Sequence, residues 1–149
     1  MKLNDYIRPD NVAVDLNAVT KLHLFQLLAA KAALITKVPG DEIQRALLKR
    51  EELGSTGIGH GVAIPHTRMG GIETPTAILV RLRQPIDFDS IDEAPVDIVL
   101  MLLTPTTEPN QHLNVLACFS RRLGAAGVLD RMRSATTAKA LHDCIASKA

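Results

Sequence analysis

Residues 96–103 read VDIVLMLL, and seven of these eight residues are apolar. A strand with one face in water alternates apolar and polar residues, whereas a strand buried on both faces is apolar at nearly every position. This run therefore predicts a strand covered on both sides. Together with the helices that the rest of the sequence predicts, it favours a sheet with a layer of helices on each face.

The rest of the chain supplies both helices and strands. Helical spacing and capping residues predict four helices: one capped by Thr20 that runs to about Ile35, one at 42–53 capped by Asp41, one at 108–124, and one that follows Thr137. Short β-like runs predict further strands: 12–16, 61–65 and 76–82. We predict one α/β domain over 1–149, a single-domain three-layer sandwich whose small mixed β-sheet is flanked by helices on both faces.

The spacing of apolar residues also predicts which side of each helix faces the core. In the first helix the expected inward residues are Leu22, Phe25, Leu28, Ala29 and Ala32. In the helix at 42–53 they are Ile43, Ala46, Leu47 and Leu53, and in the helix at 108–124 they are Leu113, Leu116, Phe119 and Leu123. The acidic, turn-rich segment 83–95 lacks such a period and is expected to be a surface connection or a docking edge.

Charge and composition exclude several classes of function. The chain carries 17 basic and 16 acidic residues without a basic cluster, and only 3% of its residues are aromatic, so nucleic acid is not an expected partner. No apolar run reaches the roughly 20 residues that span a bilayer, and the first ten residues do not resemble a signal peptide. Cys118 and Cys144 lack metal-ligand spacing and are expected to be buried thiols. We expect a cytoplasmic protein without stable membrane insertion.

Residues 54–68, GSTGIGHGVAIPHTR, hold four glycines and two histidines. The stretch fits neither the Walker loop nor the dinucleotide-binding fingerprint. Closely spaced glycines nevertheless let backbone amides approach an anion, so Gly57 and the hydroxyl groups of Ser55 and Thr56 are candidate phosphate contacts.

His66 follows Pro65, which stiffens the backbone before it. A histidine held at the end of a strand can be a base, a metal ligand or a nucleophile toward phosphorus, and in the last case Arg50 and Arg68 could meet the phosphoryl oxygens. Two plainer interpretations stay open. His66 could be an ordinary polar residue near a turn, or it could share a zinc site with two other histidines, His60 and His112. His60 by itself is typical of an exposed turn residue.

Residues 50–68, REELGSTGIGHGVAIPHTR, resemble the active-site segment of the enzyme IIA domains of the bacterial phosphoenolpyruvate:sugar phosphotransferase system, in the fructose, mannitol and nitrogen-regulatory class. Residues 85–105, PIDFDSIDEAPVDIVLMLLTP, and 112–123, HLNVLACFSRRL, extend the resemblance over nearly the whole chain. Within the class, the GSTGIG and AIPH motifs are most similar to the nitrogen-regulatory member.

The resemblance implies a phosphotransferase component that works through a phosphohistidine and needs no metal or other cofactor. It implies that His66 carries the phosphoryl group on Nε2, that Arg50 lies beside it, and that His112 is the second histidine that helps to hold the group. The implied donor is an HPr-like phosphocarrier, and the implied recipients are regulatory target proteins or a IIB domain. His60 departs from the family, where an asparagine or a similar polar residue is expected.

Three functions follow from these patterns. The chain could be a regulator whose phosphorylation state controls partner proteins, or a transport relay that passes the phosphoryl group from HPr to a IIB domain. The absence of a fused IIB, IIC or HPr segment in the sequence favours the regulator. The third function is a non-catalytic binder of anions or metabolites, which would use the glycine stretch and His66 without covalent chemistry.

Overall fold

The computed structural model describes residues 2–146, which form a six-stranded sheet between two layers of helices. The strands are β1 (Val12–Leu16), β2 (Gly57–Gly59), β3 (Val62–Ala63), β4 (His66–Arg68), β5 (Thr76–Ile86) and β6 (Val96–Thr104). The helices are α1 (Lys21–Thr36), α2 (Gly40–Glu52), α3 (Pro109–Gly124), α4 (Val128–Ser134) and α5 (Ala138–Ala146). None of the helices in this part of the chain combines the length and apolar character that crossing a bilayer requires.

The sheet is mixed, with the order β1-β5-β6-β3-β2 and with β4 paired to β6 beyond β3. β6 runs antiparallel to β5 but parallel to β3 and β4, and β1 runs parallel to β5. The apolar run at 96–103 therefore lies at the centre of the sheet.

Alternate residues of β6 enter two separate cores. Val99 and Met101 pack in the core beneath α1 and α2, whereas Leu100 and Leu102 pack in the core beneath α3, α4 and α5. All four side chains are fully buried. The predicted α/β three-layer sandwich with a mixed sheet is thus confirmed, and its physical cause is the two-sided burial of the central strand.

The helix boundaries test the predicted caps. Thr20 caps α1, because its Oγ1 accepts a hydrogen bond of 3.0 Å from the amide of His23. Asp41 does not cap α2, which begins at Gly40 with Pro39 as its N-cap residue. Asp41 instead lies in the first turn, where its charge still suits the positive end of the helix.

Three predicted core residues lie on the surface. Leu22 is 51% exposed, Leu113 is 62% exposed, and Leu53, which follows the last residue of α2, is 83% exposed. The places of Leu22 and Leu113 are taken by Leu24 in α1 and by Val115 in α3. In α1 apolar residues surround most of the helix, so spacing alone could not select the buried face. Helix α4 was not predicted, since seven residues are too few to establish a period.

Two further expectations needed correction. The segment 83–95 is only partly a surface connection, because its first four residues belong to β5 and Phe88 is fully buried. Cys118 and Cys144 are unpaired, as expected, but each is half-buried rather than buried.

The glycine stretch folds as a tight hairpin that joins β2 to β3. Gly59 pairs with Val62, and the two residues between them, His60 and Gly61, have φ angles of 56° and 79°. Positive φ at both central residues is the requirement of a type I′ turn. A side chain at Gly61 would also collide with Arg133, whose Nη2 lies 2.6 Å from the position of a Cβ. His60 is therefore an exposed turn residue, as its sequence context predicts.

Candidate functional site

An open cleft of about 580 Å³ lies where the end of α2, the strand β4 and the start of α3 meet. Its lining residues are Arg50, His66, Thr67, Arg68, Pro109, His112 and Leu113. Four residues that the sequence singled out are thus brought together, although they come from three different elements.

His66 reaches the cleft because the backbone breaks and then resumes its pairing with β6. The predicted strand at 61–65 is in fact split: β3 ends at Ala63, and β4 begins at His66. Across the break, the carbonyl oxygen of Pro65 still accepts a hydrogen bond of 2.9 Å from the amide of Leu102. His66 therefore opens a second short strand, rather than following the end of the first.

The hydrogen bonding of the His66 ring determines which nitrogen is free. Nδ1 lies 2.6 Å from the carbonyl oxygen of Ile64. Because a carbonyl oxygen can only accept, Nδ1 must carry the proton, and the neutral ring then has its lone pair on Nε2. Burial lowers the pKa of His66 below its ordinary value of 6.5, and the charge of Arg50 lowers it further, against the opposing effect of the Ile64 hydrogen bond. These effects favour the neutral ring, with its lone pair on Nε2.

His112 lies beside His66 in the first turn of α3. The two ring centroids are 5.7 Å apart, with the planes tilted by 41°. Nδ1 of His112 lies 2.5 Å from Oγ1 of Thr104. Burial lowers the pKa of His112, and the nearby His66 and Arg68 lower it further. Apolar spacing did not place His112 on the buried side of the helix. Before the family resemblance, it was named only as a possible third ligand of a zinc site.

Arg50 and Arg68 supply positive charge at the cleft. Nη1 of Arg50 donates a hydrogen bond of 3.0 Å to the carbonyl oxygen of Gly54. A guanidinium has five N–H donors, so this bond orients the side chain and leaves donors for an anion. The N-terminal end of α3, whose first residue is Pro109, adds the favourable potential of a helix dipole. The cleft therefore combines two guanidinium groups and a helix N-terminus with an imidazole whose Nδ1 is engaged.

Ser55, Thr56 and Gly57 do not line this cleft, although the sequence suggested them as phosphate contacts. The amide and hydroxyl groups of Thr56 both donate to the carboxylate of Glu51, and the hydroxyl group of Ser55 donates to the carbonyl oxygen of Phe88. The amide of Gly57 donates to Oγ of Ser55. Because these donors are already engaged, the three residues shape the loop after α2 instead of presenting a cradle of free amides.

Glu51 is the centre of this loop network and was missed by sequence reasoning. It is 9% exposed, and its Oε2 lies 2.5 Å from Nζ of Lys21. Nζ of Lys21 also donates to the carbonyl oxygen of Phe88 and lies 4.4 Å from the centre of its ring. The network ties the start of α1 to the end of α2, next to Arg50. The one feature of the sequence that could have drawn attention to Glu51 is its position directly after Arg50.

His60 does not join the two histidines of the cleft. In the hairpin turn, the amide of His60 donates a hydrogen bond to Oδ2 of Asp92, and its carbonyl oxygen accepts one from Nη2 of Arg133. Within residues 2–146, no three side chains of His, Cys, Asp or Glu converge in a way that could hold a metal ion.

The lowered pKa values of His66 and His112 predict a pH-dependent stability. When the pH falls below the ordinary histidine pKa of 6.5, His66 and His112 take up protons in the unfolded chain. In the folded protein the same partly buried rings take up fewer protons at that pH. The free energy of unfolding should be highest above that pH and should fall as the pH decreases toward the folded-state values. Urea denaturation between about pH 7.5 and pH 5.5 measures this slope. In a His66→Gln variant the free energy of unfolding should depend less steeply on pH. Equal slopes in the variant and the wild type would contradict a lowered pKa of His66 in the folded protein.

Comparison with known proteins relates this geometry to a family. Residues 5–148 match the family model described as phosphoenolpyruvate-dependent sugar phosphotransferase system, EIIA 2. A nitrogen regulatory protein of Pseudomonas aeruginosa is 36% identical over 146 residues, which cover 97% of this chain and 95% of that protein. A fructose-specific EIIA component of Haloferax volcanii is 34% identical over 101 residues, which cover 68% of this chain and 66% of that protein.

Solved structures agree with this result. The crystal structure of nitrogen regulatory protein IIA-Ntr from Neisseria meningitidis superposes with a TM-score of 0.91 at 26% sequence identity, covering 96% of this chain and 98% of its own. The match of the family model spans nearly the whole chain, and the nitrogen regulatory protein of Pseudomonas aeruginosa aligns over 97% of it. The chain therefore belongs to the EIIA 2 family of the phosphoenolpyruvate-dependent sugar phosphotransferase system.

Proposed function

We propose that the protein is a cytoplasmic phosphoryl-carrier and regulatory protein. It accepts a phosphoryl group from an HPr-like phosphocarrier onto Nε2 of His66, and its phosphorylation state controls partner proteins. The observation that carries the proposal is the hydrogen bond of 2.6 Å from Nδ1 of His66 to the carbonyl oxygen of Ile64. This bond leaves Nε2 as the nucleophile, in a cleft that also contains Arg50 and Arg68.

The transfer joins two imidazoles. The lone pair on Nε2 of His66 forms a new bond to phosphorus. At the same time the bond between phosphorus and the carrier histidine breaks, and the electron pair of the breaking bond stays on the carrier nitrogen. Nδ1 of His66 keeps its proton throughout. Phosphorylation makes the ring cationic, and the carbonyl oxygen of Ile64 stabilises that charge through the same hydrogen bond. The carrier ring, which was cationic while phosphorylated, is left neutral.

The cleft stabilises the charge on the moving group. In the transition state the negative charge is spread over three equatorial oxygens, so catalysis depends on alignment and on fixed positive groups. Arg50 is oriented by Gly54, and Arg68 and the N-terminal end of α3 lie on the other sides of the cleft. These groups are in place before the carrier arrives and need no reorganisation during transfer.

A regulatory role is favoured by the relatives named as nitrogen regulatory proteins, which align with the chain over almost its full length. The phosphoryl group itself carries a charge of about −1.5 to −2 at neutral pH, and the cationic ring of His66 offsets about one unit of it. The phosphorylated side chain would therefore weaken the positive potential of the cleft and present an anion at its surface. Partners that recognise a positive cleft would then bind less tightly, and partners that recognise the anion would be favoured.

The transport relay is the second candidate, and the similarity to a fructose-specific EIIA component favours it. The same Nε2 would then pass its phosphoryl group to a IIB domain. The two functions share the first transfer and differ in its recipient. Incubation of the phosphorylated protein with purified IIB domains would separate them, because the regulator keeps its phosphoryl group whereas the relay loses it.

The test of the shared step uses the purified chain, phosphoenolpyruvate, enzyme I and an HPr-type carrier. We expect an acid-labile mass gain of one phosphoryl group, and ¹⁵N NMR of ring-labelled histidine should place it on Nε2 of His66. Omission of the carrier is the control. A protein that gains no mass but binds inorganic phosphate would be a non-covalent anion binder, and a phosphoryl group on another residue would overturn the assignment of His66.

Arg50→Ala should slow phosphoryl transfer by on the order of a hundredfold, since it removes a preorganised cationic donor from the transition state. Single-turnover transfer from the phosphorylated carrier measures the rate. Arg45→Ala is the matched control, because Arg45 lies on the same helix and is exposed, and its guanidinium lies 3.7 Å from the exposed carboxylate of Asp41. Equal rates in the two variants would remove Arg50 from the mechanism.

A further inference from the structure

We propose that Thr104 is a positioning residue that sets the protonation of His112. Its hydroxyl group donates to Nδ1 of His112, so the neutral ring of His112 carries its proton on Nε2. That N–H then donates to an oxygen of the phosphoryl group on His66. The last step rests on the proposed function, whereas the assignment of the tautomer stands on the geometry of the unphosphorylated protein.

Thr104 is built into the sheet beside the site. It is the last residue of β6, and its backbone pairs with Arg68 of β4, the strand that begins with His66. Its carbonyl oxygen accepts a hydrogen bond of 3.0 Å from the amide of Met69. The side chain is fully buried, and its Oγ1 lies 2.5 Å from Nδ1 of His112. The backbone thus fixes the hydroxyl group against one nitrogen of the ring.

The direction of this hydrogen bond follows from the surroundings of the hydroxyl group. Within residues 2–146, Nδ1 of His112 is the one hydrogen-bond partner of Oγ1. If Nδ1 carried the proton and donated, the O–H of Thr104 would be buried without an acceptor, which is costly. If Thr104 donates instead, its O–H and the lone pair of Nδ1 are both satisfied. The second arrangement is therefore favoured.

The two histidines then hold opposite tautomers. His66 donates through Nδ1 to Ile64 and keeps a lone pair on Nε2, while His112 accepts at Nδ1 from Thr104 and keeps an N–H on Nε2. With ring centroids 5.7 Å apart, an acceptor nitrogen and a donor nitrogen are available to one phosphoryl group. A lone pair on Nε2 of His112 would instead repel the phosphoryl oxygens.

The tautomer is tested by ¹⁵N NMR of the unphosphorylated chain with ring-labelled histidine. In the wild type and in Thr104→Ser, which retains the hydroxyl group, His112 should show a protonated Nε2 and an unprotonated Nδ1. In Thr104→Val, which has the same shape without a donor, the signal should shift toward protonated Nδ1. A wild-type spectrum with Nδ1 protonated, or an unchanged spectrum in Thr104→Val, would overturn the assignment.

The donor role is tested by the lifetime of the phosphorylated protein. We expect phosphoryl loss to be roughly tenfold faster in Thr104→Val than in the wild type, and to return to the wild-type rate in Thr104→Ser. Amide NMR spectra would establish that both variants are folded. Equal lifetimes in Thr104→Val and the wild type would overturn the donor role even if the tautomer is as assigned. If the wild type takes up no phosphoryl group, the donor role falls with the proposed function, while the NMR result still decides the tautomer.

Discussion

His66→Gln is expected to abolish phosphoryl uptake, leaving no mass gain after incubation with phosphoenolpyruvate, enzyme I and an HPr-type carrier. Glutamine keeps a polar side chain of similar size, but its amide nitrogen has no lone pair available for phosphorus. His112 is not expected to substitute, because its Nδ1 accepts from Thr104 and its Nε2 carries the proton, which leaves the neutral ring no free lone pair toward phosphorus. The loss should therefore be complete rather than partial, and intact-protein mass spectrometry measures it directly.

The control for this variant is His60→Asn. His60 lies in the hairpin turn with a positive φ, a conformation that asparagine tolerates, and it does not line the cleft. Uptake by this control should match the wild type. A phosphoryl group retained by His66→Gln would mean that another residue is the acceptor.

Glu51→Ala is expected to lower the free energy of unfolding by about 3 kcal/mol. The substitution leaves the ammonium group of Lys21 without its partner and removes the acceptor for the amide and hydroxyl groups of Thr56. The side chain of Lys21 is 21% exposed, so water recovers part of its solvation, and we place the effect at the low end for a broken buried pair. Urea denaturation near neutral pH measures the difference.

Glu52→Ala is the matched control, because Glu52 is the exposed neighbour of Glu51 on the same helix. Its substitution should change the free energy of unfolding by no more than about 0.5 kcal/mol. If the two variants are equally stable, the Lys21–Glu51 pair does not hold the loop after α2. A loosened loop would also displace Arg50, so Glu51→Ala should slow transfer without touching the substrate.

The architecture was largely predictable from local patterns. The apolar run at 96–103 predicted a central strand buried on both faces, and the structure confirms it. Thr20 was correctly predicted as a cap because capping depends only on residues within one turn. Predictions that needed a helix to be rotated correctly against the sheet were wrong for Leu22 and Leu113. Apolar residues surround most of α1, and in α3 the buried position of the first turn is taken by His112, which a search for apolar residues does not count.

Local patterns indicated some residues of the candidate site correctly and others incorrectly. Glycine and proline suggested an unusual backbone around His66, and the charge of Arg50 was visible in the same motif. The suggested phosphate contacts at Ser55 and Thr56 failed to reach the cleft, because Phe88 and Glu51 accept their hydrogen bonds instead. Phe88 lies 33 residues from Ser55, so no local pattern could reveal that acceptor, whereas Glu51 lies five residues before Thr56 and turns toward it only in the folded loop after α2.

By itself the sequence determined the layers of this protein and the chemical groups it can bring to a phosphoryl transfer, because burial patterns, turn residues and side-chain types are local properties. Only the tertiary structure decided which ring nitrogen of each histidine carries the proton. That choice depends on the carbonyl oxygen of Ile64 and the hydroxyl group of Thr104, which the break in the strand and the end of β6 place against the two rings. A proton on an imidazole is positioned by its hydrogen-bond partner, and that partner is known only once the chain has folded.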